Sequence, residues 1–126
     1  ETLTGAITTA LGNVCSGAFG NDQDLVDQVL AAGEMEGEPV WQFPMFEDYR
    51  KQYKSDVADM KNTGGRSAGS IIGAQIIGEF VDDAAWVHID IAGTSRSDLL
   101  SGHVIKGATG TPVRTLVRLL RNLAVQ

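Results

Sequence analysis

Ser67-Ala68-Gly69-Ser70-Ile71-Ile72-Gly73-Ala74-Gln75-Ile76-Ile77-Gly78-Glu79-Phe80-Val81 is the stretch on which the fold turns. Ile71, Ile72, Ile76, Ile77, Phe80 and Val81 surround a helix instead of lining one face of it, and Gly69, Gly73 and Ala74 flatten it for close packing. A helix that is apolar nearly all round belongs between layers. The neighbouring layer begins with residues 86–91, Trp-Val-His-Ile-Asp-Ile, which alternate less than a surface strand should. They read as a central strand covered on both faces. A buried helix feeding a buried strand predicts an α/β fold.

The rest of the chain continues the alternation. Residues 5–11 place Ala6, Ile7, Ala10 and Leu11 at helical spacing, with Gly12-Asn13 as the stop. Residues 14–19 suit a short strand of small residues. Asn21 or Asp22 caps a helix through Ala32 carrying Leu25, Val26, Val29 and Leu30, with Gly33 closing it and 34–38 as an acidic loop. Val40-Trp41-Gln42-Phe43 is extended. Residues 46–53 form a short amphipathic helix with Phe46, Tyr49 and Tyr53 on one face, and 57–60 a short strand. Thr111 is a cap and Pro112 the first helical position of a last helix. There Val113, Leu116, Val117, Leu120, Leu123 and Ala124 recur at 3.6 spacing, with Arg114, Arg118 and Arg121 away from that face. No internal repeat, low-complexity tract or linker interrupts the chain, which reads as one α/β unit.

Composition narrows the partners. The 126 residues are 43% hydrophobic, enough for a real core. Ten Lys and Arg against sixteen Asp and Glu leave a formal charge of −6, which repels both a nucleic-acid backbone and an anionic membrane surface. No apolar run reaches the roughly 18 residues of a membrane span, and the acidic start at Glu1 is no signal peptide. The lone Cys15 can neither form an internal disulfide nor anchor a zinc ribbon, which fits a reducing compartment. The fifteen glycines are scattered along the chain, as tight turns and close backbone contacts require. The start at Glu1, without an initiator Met, predicts that these residues were cut from something longer.

Single residues supply no complete active site. His88 and Asp90 share one face of a strand, but a metal would need further ligands and the other histidine, His103, lies in a loop; a hydrogen-bonded core histidine is the better reading. Cys15 has no His or basic neighbour in sequence to activate it. Residues 107–112 lead into a helix N-terminus that could hold an anion, yet lack the ending of a phosphate loop and the spacing of a dinucleotide fingerprint. Residues 62–67 could line a pocket, or simply join a strand to a helix with Ser67 as cap. Ser67, Ser70 and Ser95 lack the G-x-S-x-G setting of a serine hydrolase, and Asp56, Asp59, Asp82 and Asp83 form no calcium loop.

Taken together the segments resemble the C-terminal part of the leucyl aminopeptidase (cytosol aminopeptidase) family of metallopeptidases. The matching stretches stand in order: Thr2-Leu3-Thr4-Gly5-Ala6 with Ala10-Leu11-Gly12, Val40-Trp41-Gln42-Phe43-Pro44 with Tyr49, then Ser55-Asp56-Val57-Ala58-Asp59 with Asn62. Gly65-Arg66-Ser67-Ala68-Gly69, Trp86-Val87-His88-Ile89-Asp90-Ile91-Ala92-Gly93 and Lys106-Gly107-Ala108-Thr109-Gly110 follow. No one motif is decisive; the ordered set covers essentially the whole chain.

The resemblance implies part of an α/β/α sandwich around a mixed, mostly parallel sheet, with residues 1–126 as the C-terminal portion of a catalytic domain shortened at its N-terminal side. It implies a parent that removes N-terminal, Leu-like residues from peptides with two divalent metals (zinc, manganese or magnesium), which activate a water and polarise the scissile carbonyl. The family's metal ligands and catalytic Arg come from an upstream Lys and from Asp/Glu residues that include an Asn-Thr-Asp-Ala-Glu-Gly-Arg signature, which this sequence lacks. The chain is therefore expected to carry neither catalytic residue nor metal ligand, to bind no metal by itself and to be inactive alone.

What it carries over is substrate wall. Thr2, Leu3, Thr4 and Gly5 match the loop that meets the substrate and helps line the first specificity pocket; Ala92 and, more loosely, Ser95 match the stretch that closes it. Thr63 matches the wall facing the leaving residue to within one position. Glu1 replaces a small residue usual in the family. Small residues at Thr4, Gly5 and Ala92 would leave room for an apolar side chain. The implied partners are a peptide substrate, the missing N-terminal part of the same protein and further copies in a hexamer built as a dimer of trimers, in the cytoplasm. The competing expectation is a non-catalytic stand-alone module that keeps the fold for binding or assembly.

Overall fold

The computed structural model describes residues 5–99, 102 and 104–125. Its centre is strand β1 (Ser16–Gly20), where Ser16, Gly17, Ala18 and Gly20 are small enough for helices to close over the sheet and Phe19 fills the core on one face. It pairs in parallel with β2 (Val40–Gln42) and antiparallel with β3 (Val87–Asp90), giving a mixed sheet in the order β2-β1-β3. A two-residue ribbon of β4 (Arg96–Ser97) and β5 (Gly107–Ala108) stands apart from it.

Register assigns the layers. Phe19 lies opposite His88 and Gly17 opposite Asp90, while Ala18 lies opposite Ile89. Alternation therefore turns Gly17, Phe19, His88 and Asp90 to one side of the sheet and Ala18, Val87 and Ile89 to the other. On the first side α1 (Ala6–Leu11) and α3 (Gly69–Gly78) build a core of Ile7, Phe19, Ile71 and Ala74, flanked by Phe43 and Trp86. On the second, α2 (Gln23–Glu36) and α4 (Val113–Leu123) pack Val29, Ala32 and Leu119 against Val87 and Ile89. Helices thus cover both faces of a mixed sheet and the α/β class holds, but among the described residues one pairing is parallel and the other antiparallel, so the sheet is not mostly parallel.

Local chemistry moves several boundaries. Asp22 caps α2 by accepting from the Leu25 amide at 2.8 Å. Gly33 does not end that helix; Gly37, at φ +67°, does, and 34–36 is helical. Gly33 serves a different purpose, since a Cβ there would stand 2.6 Å from the Glu38 carbonyl oxygen. Residues 47–53 wind as a 3-10 helix (Glu47–Tyr53), whose Tyr53 donates to Glu79 at 2.7 Å. The expected strand 57–60 pairs with no strand: 56–59 are bends, Val57 is exposed and the Lys61 amide is tied back to the Tyr53 carbonyl. β3 is an edge strand among the described residues, with Val87, His88 and Ile89 half-buried; β1 takes the central place. In α3 burial covers Ser70 to Gln75, whereas Ile76 and Ile77 are half-buried and Phe80 is exposed.

The periodicity of α4 leaves its docked face open. Its apolar stripe of Val113, Leu116, Val117, Leu120 and Leu123 faces outward, and only Thr115 and Leu119 are buried. The helix docks through the opposite face, where Arg114 reaches Glu38 and Arg118 reaches Glu36 at the C-terminal end of α2.

Candidate functional site

A cleft of about 700 Å³ opens between α1, the loop 62–66 and the first turns of α3. The 3-10 helix anchors the loop through the bond from the Lys61 amide to the Tyr53 carbonyl. Thr63 Oγ1 then accepts from the Gly65 amide at 3.3 Å, and Gly65 turns at φ +99°, a conformation that L side chains avoid. Gly64 lies directly on the Ile72 side chain, in space a Cβ would need. Sequence thus sets the loop against α3: two glycines, one for approach and one for direction.

The start of α3 differs from the expected cap. Ala68 occupies the N-cap in a left-handed conformation and offers no side-chain acceptor; Ser67 is not the cap. The first intrahelical bond runs from the Ile72 amide to the Ala68 carbonyl at 3.0 Å, so the amides of Gly69, Ser70 and Ile71 have no acceptor within the helix. Ser70 lines the cleft, is 6% exposed, and its Oγ has no hydrogen-bond partner. Arg66 stands exposed at the same end. Ala6, Ile7, Ala10, Phe43, Ile71 and Ile76 make the remaining wall largely apolar. The cleft therefore has a polar, positively biased end and an apolar body.

The expected site residues are distributed around α1. Gly5 is its left-handed N-cap, at φ +67°. Thr63 is exposed in the cleft, which Thr9 and Ala10 of α1 also line. Ala92 is exposed on the turn 91–95, whose Thr94 and Ser95 amides both donate to the Ile91 carbonyl. Gly93 in that turn packs against the Gly12 carbonyl and Thr8, at the C-terminal end of α1. Of these residues only Thr63 lines the cleft; Gly5, Ala92 and Ser95 lie outside it. Thr2, Leu3 and Thr4 lie outside the described residues, as does His103.

The other candidates take structural surroundings. His88 sits between Phe19 and Trp86, with ring centroids at 5.9 and 6.5 Å, and its Nε2 has no partner. Burial pushes its pKa down against the pull of Asp90. Asp90 accepts from the Ala92 amide through Oδ1, while its buried Oδ2 has no partner. Among the described residues no group of three His, Cys, Asp or Glu side chains is placed to hold a metal ion. At the N-terminus of α4 the anion is internal: Glu38 accepts from the Thr115 amide at 2.9 Å, the Thr115 hydroxyl at 2.6 Å and Arg114 Nε at 3.2 Å. Sequence reasoning passed over Glu38 because its partners are more than seventy residues away, and weighed Ser70 only as a hydrolase nucleophile.

Comparison with known proteins extends the picture beyond the cleft. The model of the cytosol aminopeptidase family catalytic domain matches residues 1–117. A probable cytosol aminopeptidase from Alkaliphilus metalliredigens is 46% identical over 97% of this chain and 24% of its own length; one from Azotobacter vinelandii is 50% identical over 94% and 23%. Among solved structures, a tomato leucine aminopeptidase mutant superposes with a TM-score of 0.85 at 46% identity, over 94% of this chain and 23% of that one. The bottromycin maturation enzyme BotP, in a complex with Mn, superposes with a TM-score of 0.91 at 36% identity, over 96% and 27%. The chain spans about a quarter of the length of the curated relatives it matches.

Proposed function

The chain belongs to the cytosol aminopeptidase family, and from that premise we propose that it is the C-terminal portion of the catalytic domain of a leucyl aminopeptidase, a metal-dependent exopeptidase that releases N-terminal Leu-like residues from peptides. The observation that carries this reading is identity of 46–50% to named cytosol aminopeptidases over nearly the whole chain.

The donor set of the described residues does not fit a two-metal centre, since they offer no cluster of three ligating side chains. We therefore assign the liganding of two zinc, manganese or magnesium ions to the part of the parent beyond this chain, and derive no metal-bound step from these residues. Their part is to hold substrate. Thr2, Leu3, Thr4 and Gly5 are assigned to meeting the substrate, and of these Gly5 has a left-handed backbone. Ala92 and Ser95 close the pocket for the first residue; the bare methyl of Ala92 leaves room for an apolar side chain. Thr63 faces the leaving residue.

The partners in this reading are the peptide, the remainder of the same protein and further copies in a cytoplasmic hexamer. No helix of the described residues is long and apolar enough to cross a membrane. The test is hydrolysis of leucine amide in the presence of Mn²⁺ or Zn²⁺. The parent polypeptide is expected to turn it over and the 126-residue chain alone to show no rate above buffer. Turnover by the purified chain would overturn the division of labour, and an inactive parent would favour a binding or assembly module instead.

A further inference from the structure

Four separate parts of the fold hold the turn 91–95 that carries Ala92 and Ser95. At the end of β3 the Asp90 carboxylate accepts from the Ala92 amide at 3.0 Å. Gly93 is buried against the end of α1, where the Gly12 carbonyl takes the space a Cβ would need. The Thr94 hydroxyl meets the Ser16 hydroxyl of β1 at 2.7 Å. From the fourth side comes Thr109, the residue after β5.

Thr109 differs from the other three in gripping Ser95 from both directions. Its hydroxyl donates to the Thr94 carbonyl at 2.6 Å, and its amide donates to the Ser95 carbonyl at 3.0 Å. The Ser95 amide is given to the Ile91 carbonyl at 2.8 Å. The peptide plane between Thr94 and Ser95 is therefore bonded through both of its polar groups, and the plane after Ser95 through its carbonyl. Because each peptide is planar, fixing the two planes fixes φ and ψ of Ser95 and with them the direction of its Cα–Cβ bond. The hydroxyl is itself oriented. Thr109 Oγ1 accepts from the Thr111 amide at 3.3 Å, which leaves its one proton for Thr94. The β4–β5 register ends one pair earlier, at Arg96 and Ala108, so the Thr109 hydroxyl carries the hold on Thr94.

We propose that Thr109 is a positioning residue for substrate choice: its hydroxyl sets the peptide plane before Ser95, and so the width of the pocket that reads the first residue of the peptide. The inference rests on the assignment of Ala92 and Ser95 to that pocket, and it adds a residue that acts through them. A wall held from behind discriminates between side chains that extend to it and those that stop short. Leucine continues beyond Cβ, whereas alanine ends there. Loosening the wall therefore removes contacts from a leucine substrate and leaves an alanine substrate as it was.

The experiment uses the full-length parent with Mn²⁺, and leucine amide and alanine amide as paired substrates. Thr109→Val keeps the shape and the main-chain bond to Ser95 but deletes the hydroxyl; Thr109→Ser keeps the hydroxyl. In Thr109→Val, kcat/KM for leucine amide is expected to fall about tenfold, while that for alanine amide changes by less than about twofold. Thr109→Ser should restore the leucine-to-alanine ratio. Hydrogen exchange of the Ser95 amide reads the same tether without turnover: Thr109→Val should speed it by about tenfold, and Thr109→Ser should leave it unchanged. Equal losses for the two amides, an unchanged ratio, or unchanged Ser95 exchange in Thr109→Val would each overturn the proposal. A parent that hydrolyses neither amide before any substitution would instead sink the peptidase reading, and exchange at Ser95 would still decide whether Thr109 holds the turn.

Discussion

At the residue scale, Glu38 joins the two helices on one side of the sheet. It is 5% exposed, follows the end of α2, and gives both carboxylate oxygens to the first turn of α4. Burial would push its pKa up, but the Thr115 hydroxyl and amide together with Arg114 outweigh burial and hold the carboxyl below its ordinary value. A carboxyl depressed in the folded state stabilises the fold above its unfolded pKa, near 4.5, and that contribution is lost as pH falls through the lower folded value. Glu38→Gln is therefore expected to cost about 2 kcal/mol at pH 7, as hydrogen bonds to a buried charge do. In urea denaturation the gap to the unaltered chain should close as pH drops below about 4. A gap that persists unchanged at pH 3 would mean that the ionised form contributes nothing. His88 behaves in a related way. Its pKa is lowered by burial, so the unfolded chain takes up its proton first, and stability carried by the neutral ring is present above about pH 6.5 and falls below it.

At the element scale, α4 separates pattern from orientation. Its 3.6-residue periodicity is plain in the sequence, but periodicity says only that one face differs from the other. Which face docks is decided by α2, whose Glu36 and the following Glu38 wait for Arg118 and Arg114. The same limit explains the other departures. Gly33 looks like a helix stop because glycine usually is one, yet here it makes space for the Glu38 carbonyl; the true stop, Gly37, is four residues on. Residues 57–60 have strand-like side chains but no partner strand, and pairing is a property of the fold, not of the segment. What was legible is what local chemistry determines: the Asp22 cap, the small-residue strand β1, the buried first turns of α3. The cleft was half legible. Its glycines and Thr63 stood out as a loop before a helix, whereas the unpartnered Ser70 hydroxyl is visible only once neighbours are in place. The orientation of α4 is directly testable. Leu119→Ala, on the docked face, should cost about 2–4 kcal/mol, while Leu120→Lys, on the stripe, should change stability by less than about 0.5 kcal/mol. A large loss from Leu120→Lys with little from Leu119→Ala in the same denaturation assay would reverse the docked face.

At the scale of the whole molecule, the surface is too large for the mass. A compact monomer of 13.4 kDa is expected to expose about 6,500 Å², and this chain exposes 8242 Å². Much of the excess is apolar: Trp41 on the edge strand β2, Val57, Phe80 and the outward stripe of α4 are all open to solvent. Apolar area left in water contributes nothing to folding, so the chain alone has less stability than its length would ordinarily provide. If the remainder of the parent covers these surfaces, as the proposed division of the catalytic domain requires, then its binding is coupled to folding and must raise the thermal midpoint by mass action. Supplied as a separate polypeptide at 100 times its dissociation constant, the preceding part of the parent catalytic domain should add about 2.7 kcal/mol, or about 10 °C in a chain of this size. Further additions should then raise the midpoint only logarithmically. The shift should shrink when Leu116 and Leu120 are replaced by Lys, because those changes alter the covered stripe and leave the docked face of α4 intact. A midpoint that stays fixed across a tenfold molar excess of the added part would mean that these surfaces are not where the two portions meet.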